Sequence, residues 1–389
     1  MEEAVIKHMA EKTLIKEWID VDKIIDDNPS CSWYLIWGQR SNGKTYGIID
    51  RSMRERKKFA YIRRYDTEIK RSELIDLISP HDIVRITNGR YNAFVLESGV
   101  FKYCLRDENG KILLTDPNKF GQIFAINTWE KYKGPDRGKF DYIIFDEFMS
   151  LREIKDEWDC FQQMLWTLVR TRADCKIIML ANSFTPYSLY FDELLIQEEV
   201  EQMRQGETII KEFGETKILG HWCPPSSVTK NVTSKLFNFN KFKKKVQMAE
   251  TGEWQIKDFP HCHIPYVNKP IEDGGDVIQF MYLDYRNHKM QIALCRPMFH
   301  ERGRASFFIH CHFCKSIPKD ARIVFGEKPD MYASRNYRTM RQLQGDYGDT
   351  EFYRILQECF LFDRVYFTTN NEGEFFTMWW NNQKLRFGW

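Results

Sequence analysis

The stretch WYLIWGQRSNGKT, residues 33–45, decides the fold. Trp33 to Trp37 form a short, continuous apolar run of the kind carried by a strand covered on both faces. The run ends in Gly38-Gln39-Arg40-Ser41-Asn42-Gly43-Lys44-Thr45, a full match to G-x-x-x-x-G-K-[ST], and KTYGIIDRSMRERKK after it reads as a helix. Strand, glycine-bounded loop and helix in that order build an anion cradle. Gly38 and Gly43 permit backbone conformations that aim successive N–H groups at a phosphate, and the helix adds its positive N-terminal end. In such a loop Lys44 reaches the outer phosphates and the Thr45 hydroxyl ligates Mg²⁺.

Outward from this loop, strand and helix alternate. FAYIRRY (59–65) reads as a strand and TEIKRSELIDLI (67–78) as a helix, the alternation that builds a mainly parallel α/β sheet. Between 82 and 127 the runs IVRIT, NAFVLE, VFKYCL, KILL and QIFAIN predict a β-rich insertion, with an ENG turn. FDYIIFDEF (140–148) returns to the buried-strand pattern, a helix is expected over about 153–171, and CKIIMLAN (175–182) is a further strand. Near the N-terminus Leu14, Ile15, Trp18 and Ile19 share one helical face. The acidic stretch 192–215 reads as a connecting helix, and PPSS at 224–227 marks a break. Lys230, Lys235, Lys241, Lys243, Lys244 and Lys245 then interleave with Phe237, Phe239 and Phe242, a pattern shared by single-strand nucleic-acid surfaces and solvated linker helices. Beyond 250 short strands are expected, EFFTMWW among them, with one helix over 350–361.

Composition narrows the class. The 389 residues suit two or three domains, and 57 Lys+Arg against 55 Asp+Glu exclude a wholesale basic coat, so any nucleic-acid surface must be local. With 43% hydrophobic residues the chain as a whole is expected to fold. No apolar run reaches the ~18–20 residues of a membrane span, and MEEAVIKHMAEK lacks signal-peptide order, so a cytoplasmic location without membrane partners is expected. Ten scattered Cys are expected as reduced, mostly packed thiols.

The second half of a nucleotide site is a buried strand ending in acids, and Tyr142-Ile-Ile-Phe145 followed by Asp146-Glu147 supplies it. Asp146 would hold Mg²⁺ through water, and Glu147 would polarise the attacking water as general base, the mark of an ATP hydrolase. Asn182 closes the strand CKIIMLAN and is a candidate sensor of the γ-phosphate. Arg170 has the chemistry of a finger that stabilises transition-state charge on a neighbouring subunit, and Arg172 is a second trans-acting candidate. Each arginine is otherwise a surface ion pair. Arg63 and Arg64 end their strand on the ligand edge of an open sheet, as site residues or surface cations. Arg51, Arg54, Arg56, Lys57 and Lys58 read as a solvated helix end rather than a DNA track.

These residues together resemble a family, the genome-packaging ATPases of small tailed phages with protein-primed linear DNA, the Picovirinae type, related to terminase large subunits. The resemblance rests on GQRSNGKT, Tyr61-Ile-Arg-Arg-Tyr65, Ile144-Phe-Asp-Glu-Phe148, Val169-Arg-Thr-Arg172 and Met179-Leu-Ala-Asn-Ser183, in that order, and covers about residues 30–195. It implies a P-loop NTPase of the additional-strand, catalytic-glutamate (ASCE) class that uses ATP and Mg²⁺. It also implies a homo-oligomeric ring, a homopentamer, driving double-stranded DNA into a preformed capsid. The partners it implies are the DNA, further copies of the chain, the portal or connector and a packaging RNA. The place it implies is the host cytoplasm, transiently at the portal vertex and not in the mature virion. By the same similarity Lys44 and Thr45 take phosphate and Mg²⁺, Asp146 and Glu147 form the Walker B pair, and Arg170 is the trans finger. Lys133 falls where the family has an interface lysine, with Lys131 its rival. Asp66 stands where family members can carry a lysine.

The expected division is a motor domain at 1–200, a linker or lid at 201–245, and a smaller α+β domain at 246–389. By the resemblance the last is a vestigial RNase H-like nuclease, repurposed for docking, with Asp276, Asp284, Asp330, Asp346 and Asp363 as its available acids. His261-Cys262-His263 and His310-Cys311-His312-Phe313-Cys314 carry one zinc-like Cys-x-x-Cys spacing, but period 2 in a strand sets the two His of the second cluster on one face and the Cys on the other. Packed strand residues are therefore expected there. The competing functions are a helicase-like remodelling ATPase, which single-strand stacking by 237–245 would favour, and a nucleotide-binding scaffold that does not hydrolyse.

Overall fold

The computed structural model describes residues 18–134, 139–150, 153–170, 172–226, 251–254, 256–262, 269–299, 305–326 and 337–387. The Lys/Phe segment 230–245, Leu14, Ile15, His263 and Asp330 lie outside the described residues. The chain divides into two compact units, one of 1–150 with 156–255, the other of 151–155 with 256–389.

The first unit is built on nine strands: β1 (Trp33–Gly38), β2 (Phe59–Arg63), β3 (Ala93–Glu97), β4 (Val100–Arg106), β5 (Ile112–Ala125), β6 (Tyr142–Asp146), β7 (Lys176–Asn182), β8 (Thr208–Phe213) and β9 (Thr216–Trp222). Their order is β3-β4-β5-β2-β6-β7-β1-β9-β8. From β5 to β9 every neighbouring pair is parallel; antiparallel hairpins close both edges. A mixed α/β unit with a large, mostly parallel sheet is therefore present, as the strand-helix alternation predicts. Two central strands are apolar on both faces: all of Tyr34–Trp37 and Tyr142–Phe145 are buried. That double burial requires helices on each side. Around the sheet run α1 (Val21–Asp26), α2 (Lys44–Arg54), α3 (Arg71–Ile78), α4 (Ile83–Ile86), α5 (Glu157–Val169), α6 (Leu189–Glu193) and α7 (Gln197–Gln202). On one face Ile48 and Ile49 of α2 join Tyr34, Ile36, Ile144 and Ile178 in the main core. On the other, Phe161 of α5 and Tyr190 of α6 pack on Phe145 at ring-centroid distances of 5.2 and 5.4 Å.

Several expectations are corrected. IVRIT is not a strand: Asp82 accepts a hydrogen bond from the Arg85 amide at 3.0 Å and caps α4, a local bond that competes with any ladder. TIIKEF, read as part of a connecting helix, is edge strand β8. Gly214 (φ 61°) with Glu215 makes a two-residue turn that folds β8 back onto β9. The stretch expected as a linker from 201 thus contributes two strands to the main sheet, and the first unit runs on to 255. Nor is the 51–58 cluster wholly solvated. Arg51 is 8% exposed and bonds Asp22, Asp26, Glu55 and Tyr142, tying α1 to α2.

The second unit carries β10 (Val277–Tyr285), β11 (His288–Phe299), β12 (Ala305–Phe313), β13 (Val324–Gly326), β14 (Tyr337–Arg338) and β15 (Val365–Phe367), with α8 (Met340–Tyr347), α9 (Glu351–Leu361) and α10 (Asn370–Phe387). Its order is β14-β13-β10-β11-β12-β15; β10, β11 and β12 form an antiparallel meander, and the other three strands pair in parallel. His310 and His312 lie on one face, ring centroids 5.5 Å apart, with Cys311 buried on the other, as period 2 predicts. EFFTMWW is not a strand but the middle of α10. Thr369 and Glu372 form a reciprocal capping box at its start, and Glu372, Phe376, Trp379 and Gln383 recur at helical spacing as buried residues.

Candidate functional site

Because β1, β2, β6 and β7 are parallel, their C-terminal ends share one edge. The register sets Gly38 opposite Asn182, and Asp146 opposite Leu180 two residues before it. The loop from Gly38 to Thr45, Asp146, Glu147 and Asn182 therefore meet in one cleft of about 500 Å³, lined also by Trp18 and Tyr46. Arg40, Ser41, Asn42 and Gly43 line it from the loop. Gln39 is buried beneath, its side-chain Oε1 accepting from the Ser226 amide at 2.8 Å.

The loop's glycines are required by two different constraints. At Gly38 a Cβ would lie 2.6 Å from the Cβ of Cys223, just past the end of β9. Gly43 has φ 91°, a left-handed conformation, and opens α2, whose first-turn amides face the cleft. Lys44 is 6% exposed, and its Nζ donates to the Gln39 carbonyl at 2.7 Å and to Asn42 Oδ1 at 2.9 Å. Burial pulls its pKa below the usual lysine range, and Cys223 and Asp146 push back. A buried ammonium held by two neutral oxygens is short of an anion. Lys44→Ala is therefore expected to lower the affinity for ADP or inorganic tripolyphosphate at least tenfold, read by calorimetric titration; unchanged binding would remove the phosphate role.

Thr45 Oγ1 donates toward both Asp146 oxygens, at 3.3 and 3.2 Å. Asp146 also accepts from the Tyr61 hydroxyl at 2.7 Å. Burial raises the pKa of Asp146, while the Tyr61 bond and Arg63 act the other way. A hydroxyl and a half-buried carboxylate side by side are an oxygen-only donor pair beside a phosphate cradle, which fits Mg²⁺.

Glu147 follows with φ 64°, a left-handed turn that takes its side chain off the strand line. Its Oε2 accepts from Arg63 Nη2 at 2.6 Å, while Arg63 Nη1 lies 3.8 Å from Asp146. Arg64 is 4% exposed. Its Nε bonds both Glu157 oxygens at 3.0 and 2.9 Å, Nη1 donates to the Glu147 carbonyl at 3.0 Å, and Nη2 to the Phe148 carbonyl at 2.7 Å. Neither arginine of YIRRY is a loose surface cation. Glu157 and Tyr190, whose hydroxyl donates to Glu157 Oε1 at 2.8 Å, were not singled out by sequence reading. An acid in the first turn of a helix looks like ordinary dipole compensation and gives no hint of a buried partner 93 residues away.

Arg170, Arg172 and Lys133 do not line the cleft. α5 starts from the edge of the acid pair and its 13 residues run about 20 Å toward the opposite edge, where β7 begins. Arg170 caps that far end, donating to the carbonyls of Thr167 and Gly134. This placement sets it apart from the lining of its own cleft. Arg172 binds Asp141 at 2.8 Å and Asp174 at 2.7 Å, an ion pair at the start of β6 and β7. Lys133 stands beside Gly134, its Nζ 3.8 Å from the centroid of Trp129, so Lys133 and Arg170 mark one face. Lys131 and Asn127 bind Asp66, which gives that acid an intramolecular role here.

A mostly parallel α/β sheet with a glycine-bounded loop and an acid pair on one edge defines the class. No protein-family model matches the chain. Over 168 residues it is 26% identical to the DNA packaging protein of Bacillus phage B103, a match covering 40% of this chain and 47% of that protein, so the chain spans about half the length of the curated relative it matches. Among solved structures it is similar to the Phi-28 gp11 DNA packaging motor, with TM-score 0.53 and 15% identity over 95% of this chain and 98% of that one. It is also similar to the bacteriophage Phi-29 viral genome packaging motor assembly, with TM-score 0.55 and 14% identity over 94% and 99%. At those identities the structural likeness is one of fold. The resemblance to phage packaging ATPases read from the sequence is borne out by these matches.

Proposed function

We propose that this chain is an ATP-hydrolysing motor subunit of phage DNA packaging, a P-loop NTPase of the ASCE class. It would act in a homo-oligomeric ring, a pentamer by resemblance, at the capsid portal, with double-stranded DNA as its track and a packaging RNA as a further partner. The observation that carries this reading is the buried, anion-short Lys44 in a cleft whose opposite wall is Asp146 and Glu147. The strand order supports it: β7, ending in Asn182, is interposed between the loop strand β1 and the acid strand β6. In the second unit, β12-β11-β10-β13-β14 is an antiparallel meander extended by two parallel strands, the order of an RNase H-like sheet, which supports a nuclease-derived unit. Its acids among the described residues are dispersed. Asp276 precedes β10 and is paired with Arg296, Asp284 is near the end of β10, Asp346 is in α8 and Asp363 follows α9.

In this mechanism the loop amides and Lys44 hold the phosphates, Lys44 exchanging its two carbonyl partners for phosphate oxygens. Thr45 and Asp146 would hold Mg²⁺, which neutralises charge on the phosphates. Glu147 leaves Arg63, takes a proton from water, and the water oxygen bonds the γ-phosphorus as the bridging oxygen departs with ADP. Asn182 orients that water or senses the γ-phosphate. Arg170, with Lys133 on the same face, serves the cleft of a neighbouring subunit.

The test is steady-state ATP hydrolysis by the purified chain with and without duplex DNA. Turnover stimulated by duplex, in a salt-sensitive and sequence-independent way, is the expected result. Stimulation by single strands alone would favour the helicase reading, and nucleotide binding without turnover the scaffold.

A further inference from the structure

The cleft at the phosphate loop has a neighbour. A second cavity of about 530 Å³ runs beside α1, β8 and β9, and Trp18 lines both. Trp18 is 57% exposed. The next amide, Ile19 N, donates to the Asn42 carbonyl at 2.9 Å, and Trp18 rests on the loop so closely that a Cβ at Gly43 would meet its Cβ at 3.1 Å and its ring at 3.2 Å. Tyr46, the other exposed aromatic of the cleft, already stacks on His81 at 4.5 Å.

The order of strands gives the direction of a nucleotide. The γ-phosphate end belongs with Glu147 and Asn182, which terminate β6 and β7 on one side of β1. The nucleoside must leave on the other side, toward β9, where the second cavity lies. That cavity has apolar walls in Ile19, Ile24 and Pro224 and acids in Asp20 and Asp27. His221 is part of the wall and 9% exposed; its Nδ1 pairs with Thr208 Oγ1 at 2.8 Å, and its Nε2 is closed off within the fold. What the junction of the two cavities offers a base is the exposed Trp18 side chain.

We infer that the nucleoside of the bound nucleotide lies across Trp18 into the cavity beside β9, with the base stacked on the indole. This rests on the nucleotide reading above and adds the base site to it. Trp18 touches the ligand and not the reacting atoms, so it sets affinity for the nucleoside part alone.

The experiment is calorimetric titration of the full chain with ADP and, as the probe without a base, inorganic tripolyphosphate, both with Mg²⁺. Trp18→Ala is expected to weaken ADP about tenfold or more and to leave tripolyphosphate within twofold, and Trp18→Phe to restore most of the loss. Equal loss of both ligands in Trp18→Ala, or loss of neither, would overturn the base site. Should wild type bind both ligands and lose both with Lys44→Ala while Trp18→Ala spares ADP, the base site alone falls. If wild type binds neither ligand, the nucleotide reading falls with it.

Discussion

Glu147→Gln is expected to bind nucleotide as tightly as wild type and to turn it over at least about 10²-fold more slowly, the cost of losing a positioned general base. The amide fills the same volume at the end of β6 and still offers an oxygen to Arg63, so the 2.6 Å contact survives as a hydrogen bond from the guanidinium to a neutral acceptor. What is lost is the basic oxygen that accepts a proton from water. The loop, Lys44, Thr45 and Asp146 are untouched, which separates this variant from Lys44→Ala: one loses turnover and keeps affinity, the other loses affinity. Single-turnover hydrolysis beside calorimetric ADP binding reads the difference. Turnover within a few fold of wild type would remove Glu147 from the reaction and leave its left-handed turn without a catalytic reason.

How much of this was legible beforehand depends on the range of the interaction that decides each feature. The phosphate loop and the acid pair are local patterns, a glycine-bounded loop after one apolar run and two acids after another, and the parallel register brings them together without further instruction. IVRIT and EFFTMWW went wrong for an equally local reason. Apolar runs of four to seven residues do not tell helix from strand, and the deciding residues, Asp82 before one and the Thr369/Glu372 box before the other, lie outside the run. β8 was missed because an acidic stretch with two short helices hides an edge strand whose identity is set by its hairpin with β9. Arg172 and Arg51 show the limit for charge. A guanidinium in sequence is equally a finger, a DNA contact or an ion pair, and only the position of Asp141, or of Asp22 and Asp26, selects among them.

The same limit makes Arg64 the position with the largest expected effect on stability. Its guanidinium satisfies one buried carboxylate and two main-chain carbonyls, and the carboxylate, on Glu157, is fully buried, with Tyr190 as a further donor. Arg64→Met fills similar space but removes the guanidinium paired with Glu157, a loss of about 3–5 kcal/mol by analogy with broken buried pairs. Chemical denaturation should show it as a lower midpoint at unchanged slope. The double variant Arg64→Met/Glu157→Gln removes the acid left without its guanidinium, keeps an acceptor for Tyr190, and is expected to recover most of that stability. Turnover should not return with it. The carbonyls of Glu147 and Phe148 still lack their donors, and the φ of 64° at Glu147 is no longer held from behind. At least a tenfold fall in kcat with ADP affinity unchanged is expected in the stable double variant, the split that a positioning residue gives and a purely structural ion pair does not. Full turnover in that variant would reduce Arg64 to a packing role, and wild-type stability in Arg64→Met would show that Glu157 finds a proton or another partner when the guanidinium is gone.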